Sequence, residues 1–406
     1  MSKPPVSSSP EAAAFAPLAG VRVVDFSTNM AGPHATMILA QLGADVIKVE
    51  SPGGDDARHW PPMVDGMGVV HRHMNAGKRG IVLDLGTEAG RSAAVRLAGS
   101  CDVLLQSMRP GVADRIGIGE AAVRAANPDI LYYSLSAFGP GPVGRELPGY
   151  DPLVQAFTGI MQMNGHEGAP PVRCAPSVVD LGTGQWIAMG VLAALMARQR
   201  GQVVQSMDTA LMDTAFSMIP YQATAAHITG NRPRRAGSGN PIAAPYEVYR
   251  AADGDLMIAA PNQRLWERVA DVLGARHLVA DKRFLTVADR TANNAALTAE
   301  IEAALRGDTV DAWVSRFRAA GVPVTPVAGL EQAVRSEAVA ERQTFQMLDG
   351  VPLVRLPWLA DGAPVPWLRP APQLGEHTAE VMREIGLSES EALALANGAK
   401  KAGEGA

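Results

Sequence analysis

The chain has 406 residues, 47% apolar and only 19% charged, with 41 Gly, 30 Pro and a net charge of −5. At ~150 residues per domain that is room for two or three domains with large cores, which excludes a disordered chain, a fibrous repeat and a mini-protein. The acidic balance, with no run of five basic residues, excludes sequence-independent nucleic-acid binding as a first reading, and two cysteines, Cys101 and Cys174, are too few for a disulfide framework or a four-thiolate metal site. Pro, Ser and Ala over residues 1–16 read as a loose tail rather than a secretory signal. The longest apolar run, Trp186 to Ala197, falls short of the ~20 residues that span a bilayer. A soluble, cytoplasmic protein with no membrane or nucleic-acid partner is the expectation.

Strand and helix signals alternate over the first 210 residues. VRVVDF (21–26) predicts a strand, and 33–42 a helix with Pro33 in its first turn. ADVIKVE (44–50) and GIVLDL (80–85) predict further strands. Thr87 is placed to cap the helix that follows. CDVLLQS (101–107) and DILYYSLS (129–136) continue the series. Such alternation predicts an α/β fold, a parallel sheet with helices on both faces. No Gly-x-Gly-x-x-Gly follows the first strand, where Asn29-Met30-Ala31-Gly32-Pro33 stands instead, so a plain NAD enzyme is disfavoured. Residues 178–199 predict a long apolar helix, 202–207 a strand, and 208–229 another helix capped by Asp208. The stretch 231–245 has the texture of a linker. Beyond it, Asp253-Gly254 between two β-rich runs signals a hairpin. Helices are expected at 262–273, 294–306 and 309–319, an extended segment at 321–327, a second hairpin at 346–357 and a last helix at 376–386.

Asp180 is the acidic residue with the most suggestive setting. It enters an apolar helix and is followed by Gly182 and Gly184, whose bare backbone could present N–H groups to a substrate carbonyl. A carboxylate there could act as a nucleophile and form an acyl anhydride; on spacing alone, a helix cap is the commoner role of such an Asp. Tyr150 and Asp151, before Pro152, are also placed like a helix start. The cations of NAGKR (75–79) and ADRIG (113–117) could meet phosphates, although a solvated surface is their ordinary fate. His71 and His73 alternate without a third ligand, so no metal site is expected.

Eight motifs, taken in order, bear a collective likeness. PLAGVRVVDFSTNMAGP, LGADVIKVESPGGDDAR, NAGKRGIVLDL, PGVADRIGIG, GYDPLVQAFTG, PSVVDLGTG, GVPVTPV and APQLGEHTAEVMREIGL run from Pro17 to Leu387. Together they resemble the class III CoA-transferase family. The resemblance implies that Asp180 is a nucleophile working through a mixed anhydride and an aspartyl-CoA thioester, with Tyr150 and Asp151 in support. It implies a CoA site built from Asn29, Met30, Ala31, Leu83, Ser107, Met108 and Arg115. Coenzyme A would be a substrate rather than a tightly bound cofactor, exchanged between an acyl-CoA and a small organic acid. Met30, Ser51 and Pro148 depart from the polar or basic residues that formyl-CoA transferases carry there. The acyl-CoA racemase branch shares the fold but has a His where Tyr150 stands, and its small-domain Glu falls at Asn262. A racemase, or a non-catalytic CoA-binding subunit, is the alternative. Arg58, Arg72, Arg145 and Arg173 are candidate anchors for a second carboxylate.

The resemblance also implies an architecture. A Rossmann-like parallel-sheet large domain would be formed by both chain ends, 17–230 and 326–406. A smaller α+β domain would be inserted over 231–325. Two chains would interlock as a homodimer.

Overall fold

A computed structural model describes residues 15–367, 369–388, 390–392 and 395. The expected tail, 1–16, lies outside the described residues except for Phe15 and Ala16. The strands β1 (Arg22–Phe26), β2 (Asp45–Glu50), β3 (Arg79–Val82), β4 (Val103–Gln106), β5 (Leu131–Ser136) and β6 (Ser206–Ala210) form one wholly parallel sheet. Their spatial order is β3-β2-β1-β4-β5-β6. It reverses direction between β1 and β4, the point at which open parallel sheets bind ligands beyond their carboxyl ends.

Parallel neighbours require crossovers, and the helices supply them. They are α1 (Ala31–Gln41), α2 (Glu88–Ala98), α3 (Glu120–Ala126), α4 (Asp151–Phe157) and α5 (Val178–Gln199); α6 (Leu211–Met218) follows the last strand. Thr87 caps α2 as expected, its hydroxyl accepting from the Gly90 amide. Val24, Phe26, Ile47, Val49, Ile81, Leu83 and Leu104 turn to one face of the sheet. They meet Ala93, Ala94 and Leu97 of α2, Val123 of α3, and Val381 and Met382 of α10 (Thr378–Glu384). Strand alternation sends Asp25 and Lys48, paired in register, to the opposite face.

By length and composition α5 would suffice to cross a membrane. Here it packs along α1 and α6 as a helix of the fold. The expected helix over 208–229 is a strand end followed by two helices. β6 runs on to Ala210, so Asp208 is a strand residue and not a cap. Pro220, which lacks an amide proton, separates α6 from the helix Pro220–Thr229.

Chain contacts divide the molecule into two units. The first comprises the chain up to Thr158, Ala175–Pro220 and the chain from Ala340 on. Within it, the C-terminal stretch stitches itself to the β3 edge. His377 donates its amide to the Gly80 carbonyl at 2.8 Å, and the Val82 amide donates to the Thr378 hydroxyl at 3.0 Å. Arg79 of β3 pairs with Asp45, Glu380 and Glu384. The Gln41 side chain, at the end of α1, bonds the backbone of Leu356 and Val365.

The second unit comprises Gly159–Cys174 and Tyr221–Val339, so it runs past the expected insert of 231–325 by ten residues before it and fourteen after it, and takes in a separate segment. β7 (Tyr246–Arg250), β8 (Asp255–Ala259) and β9 (Val324–Pro326) make its antiparallel sheet, with Asp253-Gly254 in the β7–β8 turn. Helices α7 (Gln263–Val272), α8 (Asn294–Leu305) and α9 (Val310–Ala319) place Trp266, Leu297, Ile301 and Phe317 in its core. The expected hairpin at 346–357 forms as β10 (Phe345–Leu348) and β11 (Val351–Val354) of the first unit.

Candidate functional site

A cavity of about 130 Å³ opens at the carboxyl ends of β1, β4 and β5. Thr28, Asn29, Met30, Ala31, Ser107, Ser136, Tyr150, Asp180 and Leu211 line it, among others. This is the reversal point of the sheet. The loop after β1 supplies one wall, the turn after β4 another, and the first turn of α5 presents Asp180. Six of the ten residues expected at the site are therefore together: Asn29, Met30, Ala31, Ser107, Tyr150 and Asp180.

Asp180 is not a helix cap. It is the third residue of α5, and Ser177 occupies the cap position without a side-chain hydrogen bond. The cap comes from another helix. Asp151, the first residue of α4 and 2% exposed, bridges the two helices with its carboxylate. One oxygen accepts from the amides of Val179 at 2.8 Å and Asp180 at 3.2 Å, and the other accepts from Gln155 at 2.6 Å. Two orphan donors of α5 are thereby satisfied, and the helix start is locked to α4.

The price of this arrangement falls on Asp180. It is half-buried, and among the described residues no side chain donates to its carboxylate. Burial, followed by the Asp151 charge beside it, pushes its pKa up to about 7. In the structure the group passes between its two forms near neutrality, because it is withdrawn from water next to a like charge.

The two glycines after Asp180 do different work from that expected. Both are buried. A β-carbon on Gly184 would lie 2.8 Å from the Ala31 carbonyl oxygen and 2.7 Å from His34 Nδ1; one on Gly182 would run into Met218 and Thr214. They are close-approach residues that let α5 press against α1 and α6, and they do not present amides to a substrate. His34, on α1, fixes the same region from the side. Its Nδ1 lies 2.9 Å from the Leu181 carbonyl and must donate to it. Burial holds the imidazole down at about 4, so it is neutral near pH 7.

The remaining expected residues lie elsewhere. Leu83 is 1% exposed in the hydrophobic core and lines none of the cavities described here. Met108 lines a neighbouring cavity of about 460 Å³ that shares Leu135 and Ser136 with the first and also carries Arg109 and Arg145. Arg115 is exposed at the end of a short helix, Val112–Arg115, outside both cavities. Of the four candidate carboxylate anchors, Arg58 is buried against Glu50 and Arg72 is bonded to the Val64 carbonyl. Arg173 belongs to the second unit, and Arg145 alone of the four lines either cavity. The NAGKR cations are neither solvated nor turned to a phosphate. Lys78 is fully buried against Asp25, and Arg79 is taken up by three carboxylates. The sequence reading passed over Thr28, Ser136 and Leu211. Small or apolar residues at strand ends carry no local signal, and only the sheet order brings them together.

The family model for CoA-transferase family III matches residues 18–378. The acetyl-CoA:oxalate CoA-transferase of Acetobacter aceti is 35% identical over 378 residues, covering 92% of this chain and 97% of that protein. The succinate–glutarate CoA-transferase of Agrobacterium fabrum is 33% identical, covering 91% and 96%. A crystal structure of a CAIB/BAIF family protein from Brucella suis superposes with a TM-score of 0.83 at 32% identity, covering 91% of this chain and all of that one. The order of motifs, the six-stranded parallel sheet and these relatives agree: the chain is an enzyme belonging to CoA-transferase family III.

Proposed function

We propose that this enzyme moves CoA from an acyl-CoA donor to a free carboxylic acid, with Asp180 as the covalent carrier. The observation that carries this reading is the Asp180 carboxylate, which no donor side chain among the described residues partners, on the wall of the cavity at the sheet's reversal point. In the first step a carboxylate oxygen attacks the thioester carbonyl. A C–O bond forms, the C–S bond breaks, and an aspartyl-acyl anhydride and CoA thiolate result. The thiolate then attacks the aspartyl carbonyl, giving an aspartyl-CoA thioester and releasing the donor acid. The acceptor carboxylate attacks that thioester, forming a second anhydride and freeing the thiolate again. Attack of the thiolate on the acceptor's carbonyl yields the new acyl-CoA and restores Asp180. Protons are neither gained nor lost over the cycle, provided Asp180 enters ionised.

A carboxylate that titrates near 7 is a better nucleophile than an ordinary one when ionised. Asp151 supports it by fixing the backbone of α5, and Tyr150, 64% exposed, stands at the cavity mouth. The small volume beside Asp180 fits a short acyl group. Two relatives named for oxalate and for succinate and glutarate agree with small organic acids as the substrate class.

We further infer that the working form is a homodimer. Trp186, Met189 and Met196 of α5 and Phe216 and Met218 of α6 are exposed apolar side chains. Single exposed apolar residues are ordinary, but a group on adjoining helices suits a partner surface. Light scattering at micromolar concentration tests this, and a monomer there refutes it.

The central test is chemical trapping. The protein is incubated with a panel of acyl-CoA donors and treated with hydroxylamine, and its peptides are examined by mass spectrometry. A hydroxamate at Asp180 is expected. Turnover with Asp180 unmodified, or retained in Asp180→Asn, refutes the carrier role.

A further inference from the structure

Asn29 stands in the cavity wall with φ +68°, a left-handed conformation that Asn adopts more readily than most residues with a side chain. What holds it is Asp55. Both carboxylate oxygens of Asp55 lie 3.2 Å from the Asn29 amide nitrogen. Asp55 is buried, accepts from the Ala57 amide at 3.1 Å, and meets Lys48 Nζ at 2.9 Å. Lys48, fully buried, also donates to the Ser27 carbonyl at the other end of the same loop. Ser27 in turn gives its amide and its hydroxyl to Asp25. Asp25 accepts from Thr36 at 2.6 Å and from Lys78 at 3.0 Å, and Lys78 donates to the Pro33 carbonyl at 3.0 Å. Two lysines and two aspartates, balanced in charge, thus grip the β1–α1 connection at Ser27, Asn29 and Pro33.

We propose that Asp55, backed by Lys48, is a positioning residue that holds the Ser27–Ala31 loop in its cavity-forming shape before any acyl-CoA arrives, acting through the Asn29 amide. The proposal rests on the reading of Asp180 and its cavity given above. A buried ion pair replaced by apolar side chains of similar size is often neutral or better for stability. The Asn29 amide, by contrast, loses in that exchange the one acceptor it has among the described residues. A preformed wall spares substrate binding the cost of ordering the loop, so losing it weakens capture of the donor more than it slows the chemistry.

Two measurements test this. In the free wild-type protein, amide exchange over Ser27–Ala31 should be slowed to the level of β1, and saturating acetyl-CoA should change the Asn29 amide by less than about threefold. The paired variant Lys48→Met with Asp55→Leu should still fold, with a Tm lowered by a few degrees because the Ala57 amide and the Ser27 carbonyl also lose a partner. Its KM for the active donor should rise about tenfold, the cost of one charge-assisted hydrogen bond, with kcat within twofold. Fast exchange at Asn29 that slows only with acetyl-CoA overturns the proposal, as does a folded paired variant with the parent's KM. If the paired variant does not fold, the exchange rate of the free protein decides alone. Asp180→Asn is run alongside. If it retains turnover, the reading of the site has failed, whatever Asn29 does. If it is inactive, the exchange and KM results bear on Asp55 alone.

Discussion

Replacing Asp180 by Asn should abolish turnover and yet stabilise the protein, by an amount that grows with pH. The folded-state pKa of Asp180 is about 7 against an ordinary 3.8, because burial and the Asp151 charge disfavour ionisation. That difference is about 3 units, and at about 1.4 kcal/mol per unit it sets a ceiling of about 4 kcal/mol. The sign follows from proton counts. Between pH 3.8 and 7 the folded protein keeps a proton that the unfolded chain has released, so stability falls as pH rises through this window. Above pH 7 the whole penalty is present, and below the unfolded value it vanishes. Asparagine carries no such penalty. Its advantage should be about 1.5 kcal/mol at pH 5 and approach about 4 kcal/mol at pH 8.5, with partial exposure of the side chain lowering both. Urea denaturation of the two proteins at pH 5, 7 and 8.5 measures it directly. An advantage that does not change with pH, or an Asn variant less stable than the parent at pH 8.5, would refute the account of Asp180 as a desolvated carboxylate beside a like charge.

Three further outcomes are expected. The kcat/KM for the acyl-CoA donor should rise with pH through about 7 and then level off, as Asp180 ionises; in Asp151→Asn this limb should move to lower pH, though only in part, since burial is the larger cause of the shift. Gly184→Ala should cost about 1–3 kcal/mol in urea denaturation, because the new β-carbon meets the Ala31 carbonyl and His34. Arg79→Met should cost about 2 kcal/mol by loss of its carboxylate partners, and amide exchange over Thr378–Glu384 should quicken.

Much of this molecule could be read from its residues. Strand-helix alternation announced the parallel sheet, and α5 appears over the residues that its apolar run foretold, Val178–Gln199. Asp180 stands out through the motif order; its local sequence favours a cap. The local sequence misled there because the true cap, Asp151, lies 29 positions away and belongs to a different helix. Gly182 and Gly184 were misread for the same reason, since what a glycine approaches is decided by the helix opposite. A better clue was present in the strands themselves. An aspartate in VRVVDF and a lysine in ADVIKVE stand inside runs that a doubly covered sheet buries completely. Such charges must find partners, and Asp25 and Lys48 find theirs under the loop of the candidate site. The NAGKR cations belong to that logic too. Only register and crossover geometry reveal that Lys78 reaches Asp25.

The stitching of His377 and Thr378 to β3 bears on how the chain is made. β3 is an outer strand of the sheet, and one row of its backbone groups would otherwise be open to any passing strand. The residues that cover it leave the ribosome almost 300 positions later. Throughout that interval the nascent sheet carries an uncapped edge, at the stage when a partly made chain is most prone to associate with its neighbours. A chain cut short before His377 should therefore suffer less in its catalytic chemistry than in its solubility, accumulating as aggregate and not as an inactive monomer.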